Sequence, residues 1–346
     1  MADVELMFPA LAFLLAGVPL AGLLERLGFF DSVVARLVGP NERELRVVWL
    51  WVLAALTTIV MNLDTTIVLL TPLYVALARA SGVDVLRLAL IPLLLASFAS
   101  SLLPVSNLSN LIIFERDGVT VGHVISQMFV PTIVACVTGW ILYARRWGSR
   151  IHVWSAVVAD RSALRIGGVA VAVLLIGFVV GPSLGVEAWM VALVVDLALV
   201  AHLRFVPWRR VPVMTALGVL AVGTLLLWVV PDGPLRRIDE TTSAPGLAGI
   251  VLLGAVVANV VNNLPTVVVM AGAIDRLGPG AWAWLRGLNI GAVMLPIGAL
   301  ANLLWLRIVR SDGVRVGWIA YVRFVGPIAA PVVMAVAVTE WGLRAI

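Results

Sequence analysis

Long apolar stretches, interrupted at a few positions by polar residues, make up most of this chain. A helix that crosses the hydrocarbon core of a bilayer needs about 20 mostly apolar residues. Stretches of roughly that length predict spanning helices at 6–24, 87–114, 121–144, 166–181, 186–203, 211–230, 285–309 and 317–341. Two further stretches, 47–79 and 247–276, carry polar residues in the middle, and each half is too short to cross alone. We therefore predict two re-entrant hairpins, with pairs of short, tilted spans as the alternative.

The composition agrees with this pattern and narrows the class of protein. Of the 346 residues, 62% are hydrophobic and only 12% are charged, whereas a soluble domain is about 45–50% apolar and about 25% charged. We therefore predict an all-α polytopic membrane protein and exclude nucleic-acid-binding domains, secreted scaffolds and cytosolic enzymes. The single cysteine, Cys136, excludes an internal disulfide. The scattered histidines offer no set of metal ligands, so we predict no cofactor, no metal and no catalytic residue.

Arginine-rich loops orient the chain, because positive residues collect on the cytoplasmic side of a membrane. The segments with an excess of arginine are predicted to be cytoplasmic, and they are 145–165, 204–210 and 307–315. The uncharged turn at 181–185 and the acid-containing segment 231–246 are predicted to lie outside. This alternation predicts a multi-pass protein of the cell's inner membrane. Residues 25–46 are predicted to form an amphipathic stretch on the cytoplasmic surface.

The two halves of the chain contain related motifs in the same order. The segment LPVSNLSNL at 103–111 matches LPIGALANL at 295–303 at five of nine positions, and DGVTVG at 117–122 matches DGVRVG at 312–317 at five of six. Upstream, the pair Asn62-Leu63 is aligned with Asn263-Leu264, which places Asp64 opposite Pro265. Five predicted spans separate the two DGV turns, so the copies face opposite sides of the membrane. We interpret the chain as an inverted-topology repeat, the architecture of many secondary transporters.

The predicted domain organisation has four parts. Residues 1–145 form the first repeat, which consists of a span, a hairpin, a broken span and a span, and residues 206–346 form the second. Between the repeats lie a cytoplasmic linker at 146–165 and two additional spans at 166–205.

Polar interruptions fall at matching places in the two repeats. They are NLDTT at 62–66, LPVSN at 103–107, NNLPT at 262–266 and LPIGA at 295–299. Non-helical backbone at membrane depth survives only inside protein or along a wet cavity, so we expect these breaks to meet at one site. Pro104 and Pro296 are expected to end the first half of each broken span. The predicted N-caps of the helices that follow the breaks are Asn62 or Asp64, Asn107 with Ser106, and Asn263.

Four helix N-termini would then converge near the midplane, each with unpaired N–H groups and a partial positive charge. Such a site suits an anion or a small hydroxylated solute. The amide and hydroxyl side chains predicted to complete it are Asn62, Thr65, Thr66, Ser106, Asn107, Ser109, Asn110, Asn262, Asn263, Thr266 and Asn302. The alternative is that these groups only cap helices and join them across the bundle.

Two acidic residues lie deep within apolar stretches. Asp64 belongs to the first hairpin, where a charged carboxylate is costly, and this suits a group that takes up and releases a proton as the site changes sides. The alternatives for Asp64 are a structural N-cap or a sodium ligand. Asp196, on an additional span, is a second candidate for proton coupling, although we favour an interhelical polar contact for it.

Four segments of the sequence carry a family resemblance. They are NLDTTIVLLTP at 62–72, SSLLPVSNLSNLIIF at 100–114, NNLPTVV at 262–268 and GLNIGAVMLPIGALANLLWL at 287–306. Together they resemble the arsenite and antimonite efflux permease family of the ion transporter superfamily. That family usually has two more spans at its N-terminus, so the chain resembles a shortened member. The binding residues that the resemblance implies are Asn62, Asp64, Thr65, Ser106, Asn107, Asn110, Asn263, Asn289 and Asn302.

The resemblance implies export of arsenite or antimonite driven by the proton-motive force. Arsenite at neutral pH is mainly an uncharged trihydroxy species, so hydroxyl and amide groups suffice to bind it, and no arginine is predicted at midplane depth. The expected partners are the oxyacid, protons and the lipid bilayer, with a soluble ATPase and a homodimer left open. The alternatives are a sodium/proton antiporter that uses Asp64 and Asp196, or another small-anion carrier. The paired breaks disfavour a non-transporting scaffold or a channel.

Overall fold

The computed structural model describes residues 8–38, 43–60, 62–107, 109–110, 113–114, 117–153, 159–208, 211, 213–229, 232–274 and 276–345. These residues are helical almost throughout. The helices before the linker are α1 (Phe8–Arg26), α2 (Phe29–Val38), α3 (Val47–Val60), α4 (Leu63–Ala80), α5 (Val85–Phe98) and α6 (Val121–Trp147). Two short strands, β1 (Arg43–Arg46) and β2 (Arg150–Val153), pair as an antiparallel ribbon.

The helices after the linker continue the same pattern. They are α7 (Arg161–Val180), α8 (Ala188–Leu203), α9 (Val213–Val229), α10 (Asp232–Asp239), α11 (Ala244–Val261), α12 (Asn263–Ala273), α13 (Pro279–Gly291), α14 (Leu300–Ser311) and α15 (Trp318–Ala345). Short 3₁₀ turns occur at Pro104–Ser106, Gly181–Leu184 and Ala292–Met294.

Large apolar side chains cover the outside of the bundle, as they do in a protein surrounded by lipid. Trp49 on α3, Ile141 on α6 and Trp228 on α9 are 63%, 44% and 87% exposed, and an apolar surface of this kind is a liability in water. Within the described ranges, α4, α6, α11 and α15 are individually long and apolar enough to cross a membrane. The predicted all-α polytopic membrane fold is confirmed.

Helices α3 and α4 form the first hairpin. The prediction that each half of the two interrupted stretches is too short to cross alone was wrong for α4 and α11, which are both long and apolar enough to span a membrane. The Thr58 and Thr66 hydroxyl oxygens lie 2.9 Å apart, and the Tyr74 hydroxyl donates to the Leu50 carbonyl at 2.6 Å. Eight residues of straight helix would span about 12 Å, so the chain reverses direction between Thr58 and Thr66. Both pairs are centred on Asn62, which means that the two arms run antiparallel, side by side, on either side of that residue.

The second hairpin turns at Asn262, between α11 and α12. The φ angle of Asn262 is 94°, in the region of backbone space that favours glycine. Helix α12 packs against α9, α10 and α11. The break between α11 and α12 is therefore a single residue, and the surrounding helices hold α12 in place.

Both broken spans are interrupted earlier than the prolines. Helix α5 ends at Phe98, and Pro104 begins a 3₁₀ turn, where its missing N–H would be unpaired in any case. Helix α13 ends at Gly291, five residues before Pro296. The prediction that these prolines end the half-helices was therefore wrong, since they shape the loop after the helix has already stopped.

Helices α11 and α13 touch through their backbones. A Cβ atom placed on Gly287 would lie 1.9 Å from the Val251 carbonyl oxygen, and one on Gly254 would lie 2.7 Å from the Trp284 carbonyl oxygen. Small residues of this kind let membrane helices approach closely. This contact fixes the second hairpin against the second broken span.

We expect Gly287→Ala to destabilise the protein, because the added methyl group must push α11 and α13 apart. Overpacking of this kind typically costs about 1–3 kcal/mol. Thermal unfolding in detergent, followed by tryptophan fluorescence, should give a lower Tm than the wild type. The matched control is Gly249→Ala on α11, where the added methyl group meets nothing within 4 Å. Equal Tm values for the two variants would contradict the close packing.

Candidate functional site

The tips of the two hairpins have the same hydrogen-bonding pattern. The Asn62 Oδ1 accepts from the Thr65 N–H at 2.7 Å, and the Thr66 hydroxyl donates to the Asn62 carbonyl at 3.0 Å. In the second hairpin, the Thr266 hydroxyl donates to the Asn262 carbonyl at 2.7 Å. The Asn262 Oδ1 also accepts from the Leu264 N–H at 3.1 Å, so each asparagine caps the returning helix.

This geometry corrects the alignment of the two repeats at the hairpins. Asn262, and not Asn263, is the cap that corresponds to Asn62. The predicted cap Asn263 is instead the first residue of α12. Asp64 is therefore equivalent to Leu264, one residue away from the predicted match.

Each hairpin tip is bonded to the break in the broken span of its own half. In the first half, the Ser106 hydroxyl donates to the Ile59 carbonyl at 2.7 Å. In the second half, the Asn262 Nδ2 donates to the Ile297 carbonyl at 2.8 Å, and the Asn263 N–H donates to the Gly298 carbonyl at 2.9 Å. The predicted meeting of hairpin tips and breaks is thus present in both halves.

Asparagine side chains also connect the two halves to each other. The Asn107 Nδ2 donates to Asn289 Oδ1 at 3.1 Å, across the boundary between α13 and the first break. The Asn107 Oδ1 accepts from the Ser109 N–H at 3.0 Å, which makes Asn107 the predicted N-cap of the segment after the break. Helices α4 and α14, and helices α5 and α13, also pack against each other. The breaks of both halves therefore belong to one region.

The second break is closed by two asparagines, of which the sequence analysis identified only Asn302. The Asn302 Nδ2 donates to the Ala292 and Leu295 carbonyls at 2.8 and 3.0 Å. The Asn259 Nδ2 donates to the Gly291 carbonyl at 2.7 Å, and its Oδ1 accepts from the Leu295 N–H at 2.6 Å. Asn259 could have been identified from the sequence, because it is a lone asparagine within the apolar run of α11.

Several buried polar atoms at these breaks have no hydrogen-bond partner among the described residues. They are Thr65 Oγ1, Ser101 Oγ, both side-chain polar atoms of Asn110, Asn289 Nδ2 and Asn302 Oδ1. Each of these residues is at most 1% exposed. A buried polar group without a partner costs about 1–3 kcal/mol, so such groups usually have an unseen partner. A bound hydroxylated solute would supply it.

The two predicted proton carriers lie in different parts of the bundle. Asp64 is in the first turn of α4 and is 8% exposed, and its carboxyl group has no hydrogen bond or ion pair with the described residues. Asp196 is buried on α8, which packs mainly against α1 and α7. The structure therefore places Asp64 at the breaks and does not bring Asp196 to it.

A buried arginine lies near the site, although none was predicted at this depth. Arg286 is one helical turn before Asn289 on α13 and is 3% exposed. Its guanidinium forms an ion pair with Glu340 on α15, and its Nη2 donates to Gln127 Oε1 at 2.9 Å. The sequence did carry a signal, because the predicted span 285–309 contains Arg286 and the predicted span 317–341 contains Glu340, and residues of opposite charge tend to pair inside membranes.

Comparison with known proteins identifies the family. The sequence model of the citrate transporter family matches residues 2–287, and the chain belongs to that family. It is 26% identical to the arsenical pump membrane protein of Yersinia enterocolitica, over 92% of this chain and 82% of that protein. It is 24% identical to the putative arsenical pump membrane protein of Bacillus subtilis, over 90% and 82%. Among solved structures, the YdaH transporter of Alcanivorax borkumensis matches 99% of this chain and 86% of its own, with 15% identity and a TM-score of 0.47.

These findings confirm the predicted resemblance to arsenical-pump transporters. The family consists of membrane transporters and not of enzymes. The chain is accordingly a multi-pass inner-membrane transporter of the citrate transporter and arsenical pump type.

Two neighbouring threonines of α4 allow the predicted solute contact to be tested against a structural contact. Thr65 Oγ1 has no partner among the described residues, whereas the Thr66 hydroxyl bonds within the protein. We expect Thr65→Val to leave Tm nearly unchanged but to lower transport about tenfold, the loss of one hydrogen bond to the solute. Thr66→Val should instead lower the free energy of unfolding by about 1 kcal/mol. Stability is measured by thermal unfolding, and transport is measured as solute uptake into membrane vesicles. Wild-type uptake by Thr65→Val would contradict a contact between Thr65 and the solute.

Proposed function

We propose that this member of the citrate transporter family exports a small uncharged oxyacid, arsenite or antimonite, in exchange for protons. The similarity to arsenical pump membrane proteins over most of the chain supports this substrate class. The chemistry of the breaks supports it independently, because their unpartnered groups are amides and hydroxyls. A neutral trihydroxy acid offers both donors and acceptors to such groups.

The observation that carries the proposal is the absence of an uncommitted cation among the described residues of the site. The nearest buried arginine, Arg286, already balances the charge of Glu340. A polycarboxylate would need positive partners of its own, since burying unpaired charge is costly. A neutral oxyacid needs none.

Asp64 is the group proposed to couple transport to protons. It lies one turn or less from the capping residue Asn62 and from the unpartnered hydroxyl of Thr65. A neutral solute that binds next to Asp64 would then compete with the proton that binds to Asp64, because both occupy one small polar site. Exchange follows if the carboxylate accepts its proton from the outer side and releases it to the cytoplasm.

A small-anion carrier is the second candidate. Helix α14 starts after Ala299 without a side-chain cap, so its first N–H groups and its partial positive charge are available to an anion. The family description, which names citrate, points the same way. This candidate differs from the first only in the charge of the solute.

Everted inner-membrane vesicles test both candidates in one assay. Their cytoplasmic face is outside, so export appears as uptake into the lumen. With an acidic lumen, vesicles that contain the protein should accumulate arsenite, and a protonophore should abolish the accumulation. Citrate and sodium are tested in parallel arms. Citrate uptake without arsenite uptake would favour the anion carrier, and sodium-dependent alkalinisation without arsenite uptake would favour a sodium/proton antiporter.

We expect Asp64→Asn to abolish proton-driven arsenite uptake while expression and Tm stay near the wild-type values, because the variant keeps the size of the side chain and loses its proton exchange. The matched control is Asp196→Asn, a buried acid on α8 that the structure places outside the breaks. It should retain most of the activity. Full activity in Asp64→Asn would remove this carboxyl group from the coupling mechanism.

A further inference from the structure

The β1–β2 ribbon joins segments that the arginine distribution predicts to be cytoplasmic, and it has one polar face. Its strands pair Arg46 with Arg150 and Glu44 with His152. These four side chains share the exposed face, whereas Ile151 and Val153 are buried on the other. The Arg46–Arg150 end is next to the membrane helices, because the Val47 N–H donates to the Ser149 carbonyl at 2.9 Å.

The pairing of Arg46 with Arg150 is unfavourable by itself. Like charges directly opposite each other destabilise a strand pair. Glu44 relieves only one of them, through its 2.9 Å ion pair with Arg150. The side chain of Arg46 has no hydrogen bond or ion pair with any residue that the structure describes. The ribbon therefore carries uncompensated positive charge at its membrane end.

A third arginine, Arg87, contacts the same end of the ribbon. The Arg87 Nη2, at the start of α5, donates to the Arg150 carbonyl at 3.1 Å. Its Nε is buried and has no partner among the described residues. Among the described residues, the Glu44–Arg150 contact is the only ion pair that involves Arg46, Arg87 or Arg150. This imbalance indicates an anionic ligand.

The surface beside these arginines is apolar and faces lipid. On α3, exposed apolar side chains form a stripe that starts three residues after Arg46, and they are Trp49, Leu53, Leu56 and Val60. On α6, a second stripe leads to the exposed Arg145, and its members are Ile133, Val137 and Ile141. The two helices pack together through Trp51, whose ring centroid is 5.8 Å from that of Trp140. Positive charge next to two apolar stripes matches the amphipathic shape of a phospholipid.

We propose that Arg46, Arg87 and Arg150 bind the phosphate headgroup of an anionic phospholipid of the cytoplasmic leaflet, with its acyl chains along α3 and α6. Anionic lipids attract basic segments on this side of the membrane. A phosphate offers several acceptor oxygens to guanidinium groups. The site fixes the ribbon, and with it the first turn of the α3–α4 hairpin, to the membrane surface.

The test compares lipids on the delipidated full-length protein in detergent. Micelles doped with phosphatidylglycerol should raise Tm, whereas micelles doped with phosphatidylcholine should not. In the double variant Arg46→Gln/Arg150→Gln, the apparent affinity for phosphatidylglycerol should fall roughly 25-fold, about fivefold for each arginine. The control Arg161→Gln/Arg165→Gln removes two exposed cytoplasmic arginines of α7 and should keep the wild-type response.

Two further measurements distinguish lipid binding from simple stabilisation of the ribbon. Arg46→Lys should retain most of the response, because it keeps the charge, whereas Arg46→Gln alone should lose about fivefold. Inorganic phosphate at the same concentration should not reproduce the shift. An equal response to phosphatidylcholine or to inorganic phosphate, or an unchanged response in the double variant, would overturn the proposal. If the double variant does not fold, the comparison of Arg46→Lys with Arg46→Gln decides.

Discussion

Peptide groups at membrane depth must find partners inside the protein, and this requirement organises the whole structure. Lipid offers no hydrogen bonds, so every interruption of a helix leaves groups that only another part of the chain can satisfy. Asparagine is suited to this task because its side chain carries both donors and acceptors. Asn62 and Asn262 cap the returning arms of the hairpins, and Asn259 and Asn302 close the second break. The breaks are consequently fixed turns.

The two halves differ in how side chains bind the backbone at their breaks. In the second half, Asn259 and the hairpin tip bind the backbone of the break, and the glycines between α11 and α13 bring the backbones into contact. In the first half, the one side-chain hydrogen bond between hairpin and break among the described residues is that of the Ser106 hydroxyl to the Ile59 carbonyl. The first half also contains Asp64 and the unpartnered hydroxyl of Thr65. The buried carboxyl group of Asp64 therefore lies in the first half, whereas unpartnered polar atoms occur in both halves, including Asn289 Nδ2 and Asn302 Oδ1.

The local sequence pattern predicted some structural features correctly and missed others. The predicted cap Asn107 was correct because a cap depends on the residues next to it. Ser106, which was predicted to cap with it, bonds instead to Leu103 and Ile59. The predicted roles of Pro104 and Pro296 were wrong, because the helices end at Phe98 and Gly291, before either proline is reached. Asn259 was missed since its partners lie more than 30 residues away along the chain. The β1–β2 ribbon was missed for the same reason, because its strands are about 100 residues apart.

The sequence by itself determined the membrane class and the approximate positions of the helices and of the polar interruptions between them. It did so because the bilayer accepts only long apolar helices and tolerates polar groups only where protein surrounds them. Only the tertiary structure decided that Asn262 caps the second hairpin, that Arg286 pairs with Glu340, and that Asp196 lies apart from Asp64. These facts depend on one-residue differences in register and on which distant helices touch, and neither is visible in the order of residues along the chain.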